Sequence, residues 1–151
     1  MANEKSVGGI IFTEEKNSRY YLLLEYERMN DKEGKHKYWD FPKGHAEEQE
    51  SEVDTLRREV EEETGIKNLE ILNGFKEVIK YFFRKDGKLI NKEVIYFLAK
   101  TNTKDIKVSF EHTGFKWLKY DEALEKINFK NSKNILKKAE KFLKNSLFDY
   151  Q

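Results

Sequence analysis

The sequence predicts an α/β (α+β) protein, a mixed sheet covered by helices. Three observations carry that prediction. Two pairs of β-rich runs lie close together in the chain, each pair joined by a short polar turn, which reads as hairpins. A capped amphipathic helix stands between the pairs. A second amphipathic helix, with apolar residues at helical spacing, lies near the end of the chain.

Taken in order, "VGGIIF" (7–12) and "RYYLLLEY" (19–26) are strands, and the polar run Glu14 to Ser18 is the turn between them. "GKHKYWDFPKGHAEEQE" reads as a long loop with one short extended piece at Trp39–Phe41. The residue before the single proline, Pro42, is biased to extended geometry. Ser51 is a good helix N-cap, Asp54 suits the positive end of the helix dipole, and Gly65 is placed as the stop. "FKEVIKYFF" (75–83) and "KEVIYFLAK" (92–100) flank Asp86-Gly87, a strong hairpin signal. "FKWLK" (115–119) adds a strand, Asp121 caps a short helix "EALEKI", and Ser132 to Phe148 is helical. In that last helix Ile135, Leu136, Ala139, Phe142 and Leu143 share a face, and the lysines form the solvated side.

The bulk numbers bound the function. A chain of 151 residues suggests one domain, 1–151, long enough to bury an ordinary core. Lys and Arg total 29 against 28 Asp and Glu, so the net charge of +1 gives no case for non-specific binding to nucleic acid or a membrane surface. With no cysteine, disulfides, thiolate metal sites and a cysteine nucleophile are excluded. The N-terminal "MANEKSVGG" lacks the apolar core of a signal peptide, and the longest apolar run, "VIYFLA" (94–99), is far too short to span a bilayer. The expectation is a cytoplasmic monomer with no membrane partner.

The stretch "RREVEEETG" (57–65) gathers Glu59, Glu61, Glu62 and Glu63 on about one and a half turns, although like charges at i,i+4 repel. With Glu59 set at zero on a helical wheel, Glu63 falls about 40° to one side and Glu62 about 60° to the other, with Glu52 near 20°. Val53, Leu56 and Val60 cluster around 60–120°. Glu61 and Arg57 point to the far side. Arg58 lies one turn before Glu62 and can pair with it or with a carboxylate of the preceding loop. A solvated charged helix is the plain reading, but such a face normally mixes signs. Carboxylates clustered beside a packed face raise one another's pKa unless a cation intervenes, and hard oxygen ligands select Mg²⁺, Mn²⁺ or Ca²⁺.

Loop and helix together carry a longer pattern. Gly44, Glu50, Arg58-Glu59-Val60, Glu62-Glu63 and Gly65-Ile66 fit G-x5-E-x7-R-E-U-x-E-E-x-G-U, with U aliphatic, at every specified position. This resembles the Nudix box, the signature of hydrolases acting on nucleoside diphosphates linked to another moiety. "WDFPKGHAE", "KEVIYFLAK", "FEHTGFKWL" and "NFKNSKNILKKAEKFL" are similar to segments of the asymmetrical diadenosine-tetraphosphate hydrolases within that family. Two departures stand out. Glu48-Gln49 replaces the usual Pro-Gly before Glu50, and Leu56 replaces a commoner alanine.

The resemblance implies the Nudix fold, an α/β/α sandwich with a mixed central sheet, and metal-dependent hydrolysis of a nucleotide polyphosphate, diadenosine tetraphosphate to ATP and AMP. Alternatives are removal of pyrophosphate from RNA 5′ ends, sanitising of nucleoside triphosphates, or a non-catalytic binding module. By the same resemblance Glu59, Glu62, Glu63 and the carbonyl at Lys43 or Gly44 hold Mg²⁺, with Mn²⁺ as substitute. Glu111 approaches the metals from outside the box. Arg58 orients the carboxylates and braces the loop through Glu50. Glu63 is the expected general base, with Glu111 second. Lys43 and Lys92 hold phosphate oxygens, while Tyr81 and Phe129 are candidates to stack the adenine ring. His45 and His112 are assigned to loop hydrogen bonding, outside the catalytic set.

Overall fold

The computed structural model describes residues 2–30, 34–109 and 112–145. They form a seven-stranded sheet and three helices, in the order β1 (Ala2–Glu15), β2 (Ser18–Asn30), β3 (Gly34–Asp40), β4 (Lys43–His45), α1 (Glu52–Thr64), β5 (Glu70–Lys85), β6 (Lys88–Lys100), β7 (His112–Leu118), α2 (Tyr120–Lys126) and α3 (Lys130–Asn145). The central strand order is β3-β2-β1-β6-β5, with β4 also pairing β1 and β7 pairing β2. The β1–β6 pair is parallel and every other pair antiparallel, so the sheet is mixed as expected.

Alternation along the strands divides the core between two faces. Ile10, Phe12, Tyr21, Leu23, Val94, Tyr96 and Leu98 pack under α2 and α3, against Ala123, Ile135, Leu136, Ala139 and Leu143. Val7, Ile11, Leu22, Leu24, Ile95, Phe97 and Ala99 pack under α1, against Leu56 and Val60. The result is helices on both sides of one sheet. Leu56, where the family that the sequence resembles commonly has alanine, finds room because its partner on β1 is Gly9. A Cβ there would come within 2.9 Å of Leu56 Cδ1.

Both predicted hairpins form. Lys16 and Asn17 take positive φ (51° and 67°) between β1 and β2, and Asp86 and Gly87 do so (52° and 77°) between β5 and β6. Several boundaries differ from expectation. The stretch read as loop contains β3 and β4. β3 is an edge strand whose lysines hide the apolar alternation, and it is built by register with β2 from Leu24↔Asp40 to Asn30↔Gly34. β1 begins at Ala2 because its polar start pairs in parallel with β6 from Ala2↔Ile90. The N-cap of α2 is Lys119, whose backbone N–H donates to Glu122 (3.3 Å), and Asp121 lies inside the first turn. α3 runs from Lys130 to Asn145, and the predicted extension to Phe148 falls outside the described residues.

Candidate active site

α1 is delimited as its sequence predicts. Ser51 is extended (φ −70°, ψ 158°) and its Oγ accepts the Asp54 N–H at 3.1 Å, while Gly65 ends the helix at φ 79°. The apolar stripe seats Leu56 and Val60 against the sheet. Val53 does not join them and is 37% exposed, its place on the inner face going to Thr55 and Thr64. Seating that stripe sorts the glutamates. Glu63, on the apolar side of the wheel, is buried; Glu59 is mostly covered; Glu62, on the other side, is exposed; Glu61 faces solvent. Glu52 leaves the group, tied to Lys5 (2.7 Å) and Lys76 (2.8 Å) at the start of the helix.

Arg58 organises the rest. Its Nε donates to Glu50 Oε2 (2.8 Å) and its Nη2 to Glu50 Oε1 (3.0 Å), a bidentate clamp on the loop before α1. Nη1 donates to Glu59 Oε1 (2.7 Å) and Glu62 Oε2 (3.3 Å), and Nη2 also reaches the His45 carbonyl (3.0 Å). Glu50 receives a further bond from Thr55 Oγ1 (2.7 Å). Arg58, followed by Thr55, holds the Glu50 carboxyl down at about 2, well below the ordinary glutamate value.

The Glu48-Gln49 departure has a visible consequence. Glu50 N–H donates to the Glu47 carbonyl (3.2 Å), and Gln49 takes φ 66° at the third position of that turn. A turn with positive φ there is the kind that Pro-Gly fits and that a residue bearing a Cβ enters at a cost. The turn survives the exchange, carried by a strained glutamine.

Gly44, on β4, lies directly beneath the Glu59 carboxylate. A Cβ at Gly44 would collide with that carboxyl group, so only glycine admits the approach. Glu63 faces another way: its Oε2 is 3.4 Å from His112 Nε2, both side chains buried. Among the described residues, no three His, Asp or Glu side chains stand together as a ready cation cage, because Arg58 draws Glu59 and Glu62 and His112 faces Glu63. The donor chemistry still fits a hard divalent cation. Carboxylate oxygens crowd a bare backbone segment, with no nitrogen or sulfur ligand required. Glu111 lies outside the described residues.

On the α3 side of the sheet, beyond the same β4, a cleft of ≈ 350 Å³ is lined by Arg28, Tyr38, Asp40, Lys43, Tyr81 and Phe129, among others. Three of the four residues expected to bind substrate therefore share one cavity. Tyr81 stands on its rim, 38% exposed, rather than in the core. Phe129 packs edge-on to Tyr38 (5.2 Å, 75°). Lys43 Nζ is 3.5 Å from Asp40 Oδ2. The fourth, Lys92, lies opposite Tyr81 in the β5–β6 register but is buried, donating to Ser6 Oγ (2.6 Å) with Glu4 at 3.6 Å. Burial pulls its ammonium below the ordinary lysine value, with Glu4 opposing and Lys43 adding to the shift.

Sequence reading missed Arg28, Tyr38 and Asp40. A strand at 34–40 paired with β2 would have set Tyr38 opposite Tyr26, as found. The signal available was the aromatic pair in "KYWD", weak beside Lys35, Lys37 and Asp40.

Comparisons with known proteins agree with this geometry. A family model described as NUDIX domain matches residues 2–139. The chain is 36% identical over 124 residues to the asymmetrical bis(5′-nucleosyl)-tetraphosphatase of Rattus norvegicus, covering 80% of this chain and 81% of that protein. It is 35% identical over 119 residues to an RNA pyrophosphohydrolase of Sulfurovum sp., covering 72% and 76%. Among solved structures, a binary complex of the C. elegans Ap4A hydrolase superposes with a TM-score of 0.77 at 29% identity, over 94% of this chain and 98% of that one. With the family model spanning nearly the whole chain and the box residues gathered around Arg58, the chain belongs to the NUDIX domain family.

Proposed function

We propose that this Nudix hydrolase cleaves the phosphoric anhydride chain of a dinucleoside polyphosphate, diadenosine tetraphosphate, to ATP and AMP. The observation that supports this reading most is the adjacency of two residues. Lys43 lines the aromatic cleft, and Gly44, next in the chain, lies under the Glu59 carboxylate. A nucleobase held in the cleft sends its phosphate chain along β4 toward the acidic helix.

The chain's own residues then have distinct tasks. Tyr81 and Phe129 offer ring faces and edges to the base, and Tyr38 backs Phe129. Lys43 sits where the first phosphates pass, and buried Lys92, beside Tyr81 on the same face of the sheet, adds positive field, its phosphate role resting on that proximity. Glu59, Glu62, Glu63 and the Gly44 backbone are the groups that would hold Mg²⁺, or Mn²⁺ in its place. Such a cation, when bound, neutralises phosphate charge and lowers the pKa of water. Arg58 keeps Glu59 and Glu62 oriented and ties them to the loop through Glu50. Glu63 takes the proton from the attacking water, with Glu111 as the second candidate for that task. As the water oxygen bonds to phosphorus, the bridge between the first and second phosphates breaks and AMP and ATP separate. We also place the protein as a single-domain cytoplasmic monomer, a reading supported by a family model that spans residues 2–139 and by a sequence without cysteine. Among the described residues, no helix is long and apolar enough to cross a membrane.

A second reading, removal of pyrophosphate from RNA 5′ ends, is favoured by the Sulfurovum relative. Steady-state kinetics on diadenosine tetraphosphate, 5′-triphosphorylated RNA and single nucleoside triphosphates decides between them. The dinucleotide is expected to show the highest kcat/KM; a higher value for RNA would replace the first reading with the second.

A further inference from the structure

His112 takes no part in the mechanism above, yet its side chain is buried. Its ring touches two elements of the site. Nε2 is 3.4 Å from Glu63 Oε2. The Tyr26 ring meets the imidazole edge-on at 4.5 Å and 89°. Tyr26 in turn stacks on Tyr38 (5.2 Å, 9°), and its hydroxyl donates to the Phe41 carbonyl (2.8 Å), just before Pro42, Lys43 and Gly44. Burial, and then the charge of Glu63, push the Tyr26 phenol well above the ordinary tyrosine value, so it stays an O–H donor.

The backbone fixes the same relation. Lys107 N–H donates to the Thr64 carbonyl (2.9 Å) and Ser109 N–H to the Glu63 carbonyl (3.2 Å), satisfying carbonyls that the end of α1 leaves open. His112 N–H then donates to the Ser109 carbonyl (3.1 Å). The imidazole is thus carried on a segment bonded to the very residue that its side chain faces.

A neutral imidazole has one N–H and one acceptor nitrogen. Among the described residues neither ring nitrogen has a hydrogen-bond partner at this geometry, and of the two it is Nε2 that faces a carboxylate, 3.4 Å from Glu63 Oε2. We infer that His112 is a positioning residue whose Nε2–H donates to Glu63 and fixes the orientation of that carboxylate, with Tyr26 clamping the ring. The inference rests on the reading that Glu63 belongs to the reaction centre.

Two substitutions separate positioning from bulk. His112→Phe keeps a planar ring for Tyr26 but removes the donor; His112→Gln keeps a donor near the Nε2 position. His112→Phe is expected to lower kcat on diadenosine tetraphosphate by about 10- to 100-fold with KM little changed, and to weaken Mn²⁺ binding measured by electron paramagnetic resonance without substrate. His112→Gln is expected to restore most of both. A folded His112→Phe protein with wild-type kcat and Mn²⁺ affinity would overturn the inference. Nitrogen-15 NMR of the unaltered protein tests it without any variant: the Nε2-protonated tautomer is expected, and the Nδ1-protonated tautomer would overturn it. Glu63→Gln at wild-type turnover would overturn the underlying reading, and this inference with it. Loss of turnover in Glu63→Gln beside a normal His112→Phe overturns the inference alone.

Discussion

The acidic end of the site and the aromatic cleft are built on opposite plans. The carboxylates come from one helix and the loop before it, and a single guanidinium binds Glu50, Glu59 and Glu62 together. The cleft takes side chains from β2, β3, β4, β5, β6 and the start of α3, with no residue in command. On the proposed reading, chemistry that must be the same for every substrate is encoded locally, in one stretch of chain, and recognition is spread over strands, where single exchanges would retune the cavity without touching the helix. The two meet at Lys43-Gly44.

This contrast can be broken from either side. The largest effect is expected at the acidic end. Glu63→Gln should lower kcat by about 10² to 10⁴, the range for a lost general base, while the melting temperature stays near that of the unaltered protein. Arg58→Met comes next. Freed from its clamp, Glu59 and Glu62 lose their common orientation, and both turnover and Mn²⁺ affinity should fall by about 10- to 100-fold. Changes in the cleft should read differently. Tyr81→Ala and Phe129→Ala should each raise KM for diadenosine tetraphosphate with kcat largely kept, by the worth of about 1–3 kcal/mol for one base–aromatic contact. A cleft variant that loses kcat alone would show the two regions to be less separate than drawn here.

Smaller effects concern the loop that joins them. Glu50 is held at about 2 in the folded chain, against roughly 4.3 unfolded, so its pairing stabilises fully above the unfolded value and is lost as pH falls through 2. Glu50→Gln should therefore be less stable at neutral pH, with the gap to the unaltered protein closing between about pH 4.3 and 2 in acid titration of unfolding. The least change comes from restoring the familiar turn. Glu48→Pro with Gln49→Gly relieves the positive φ at Gln49 and should raise unfolding stability by up to about 1 kcal/mol in urea titration.

The same division governs what could be read from the chain. Ser51, Gly65 and the order of glutamates along α1 specify caps and faces through short-range rules, so the helix, the exposure of Glu61 and the reach of Arg58 were legible, whereas the exposure of Glu62 was not. Gly44 was legible as a box residue, but not its contact with Glu59, which needs β4 to pair with β1. β3 was not legible, because an edge strand carries lysines and draws its order from β2 rather than from its own pattern. Lys92 shows the limit most clearly. Its position beside Tyr81 follows from the hairpin, but its burial is set by Ser6 and Glu4 on β1, far away in sequence and adjacent only through the parallel pairing. His112 likewise gained meaning only when β7 placed it against the end of α1.

The central claim is that the acidic helix and the aromatic cleft act on one dinucleotide across Lys43-Gly44. The direct measurement is chromatography of the products formed from diadenosine tetraphosphate by the purified protein with Mg²⁺. ATP and AMP in equal amounts are predicted, and their formation should be lost in Glu63→Gln. ADP as the sole product, or no product while other nucleoside polyphosphates are hydrolysed, would contradict the account.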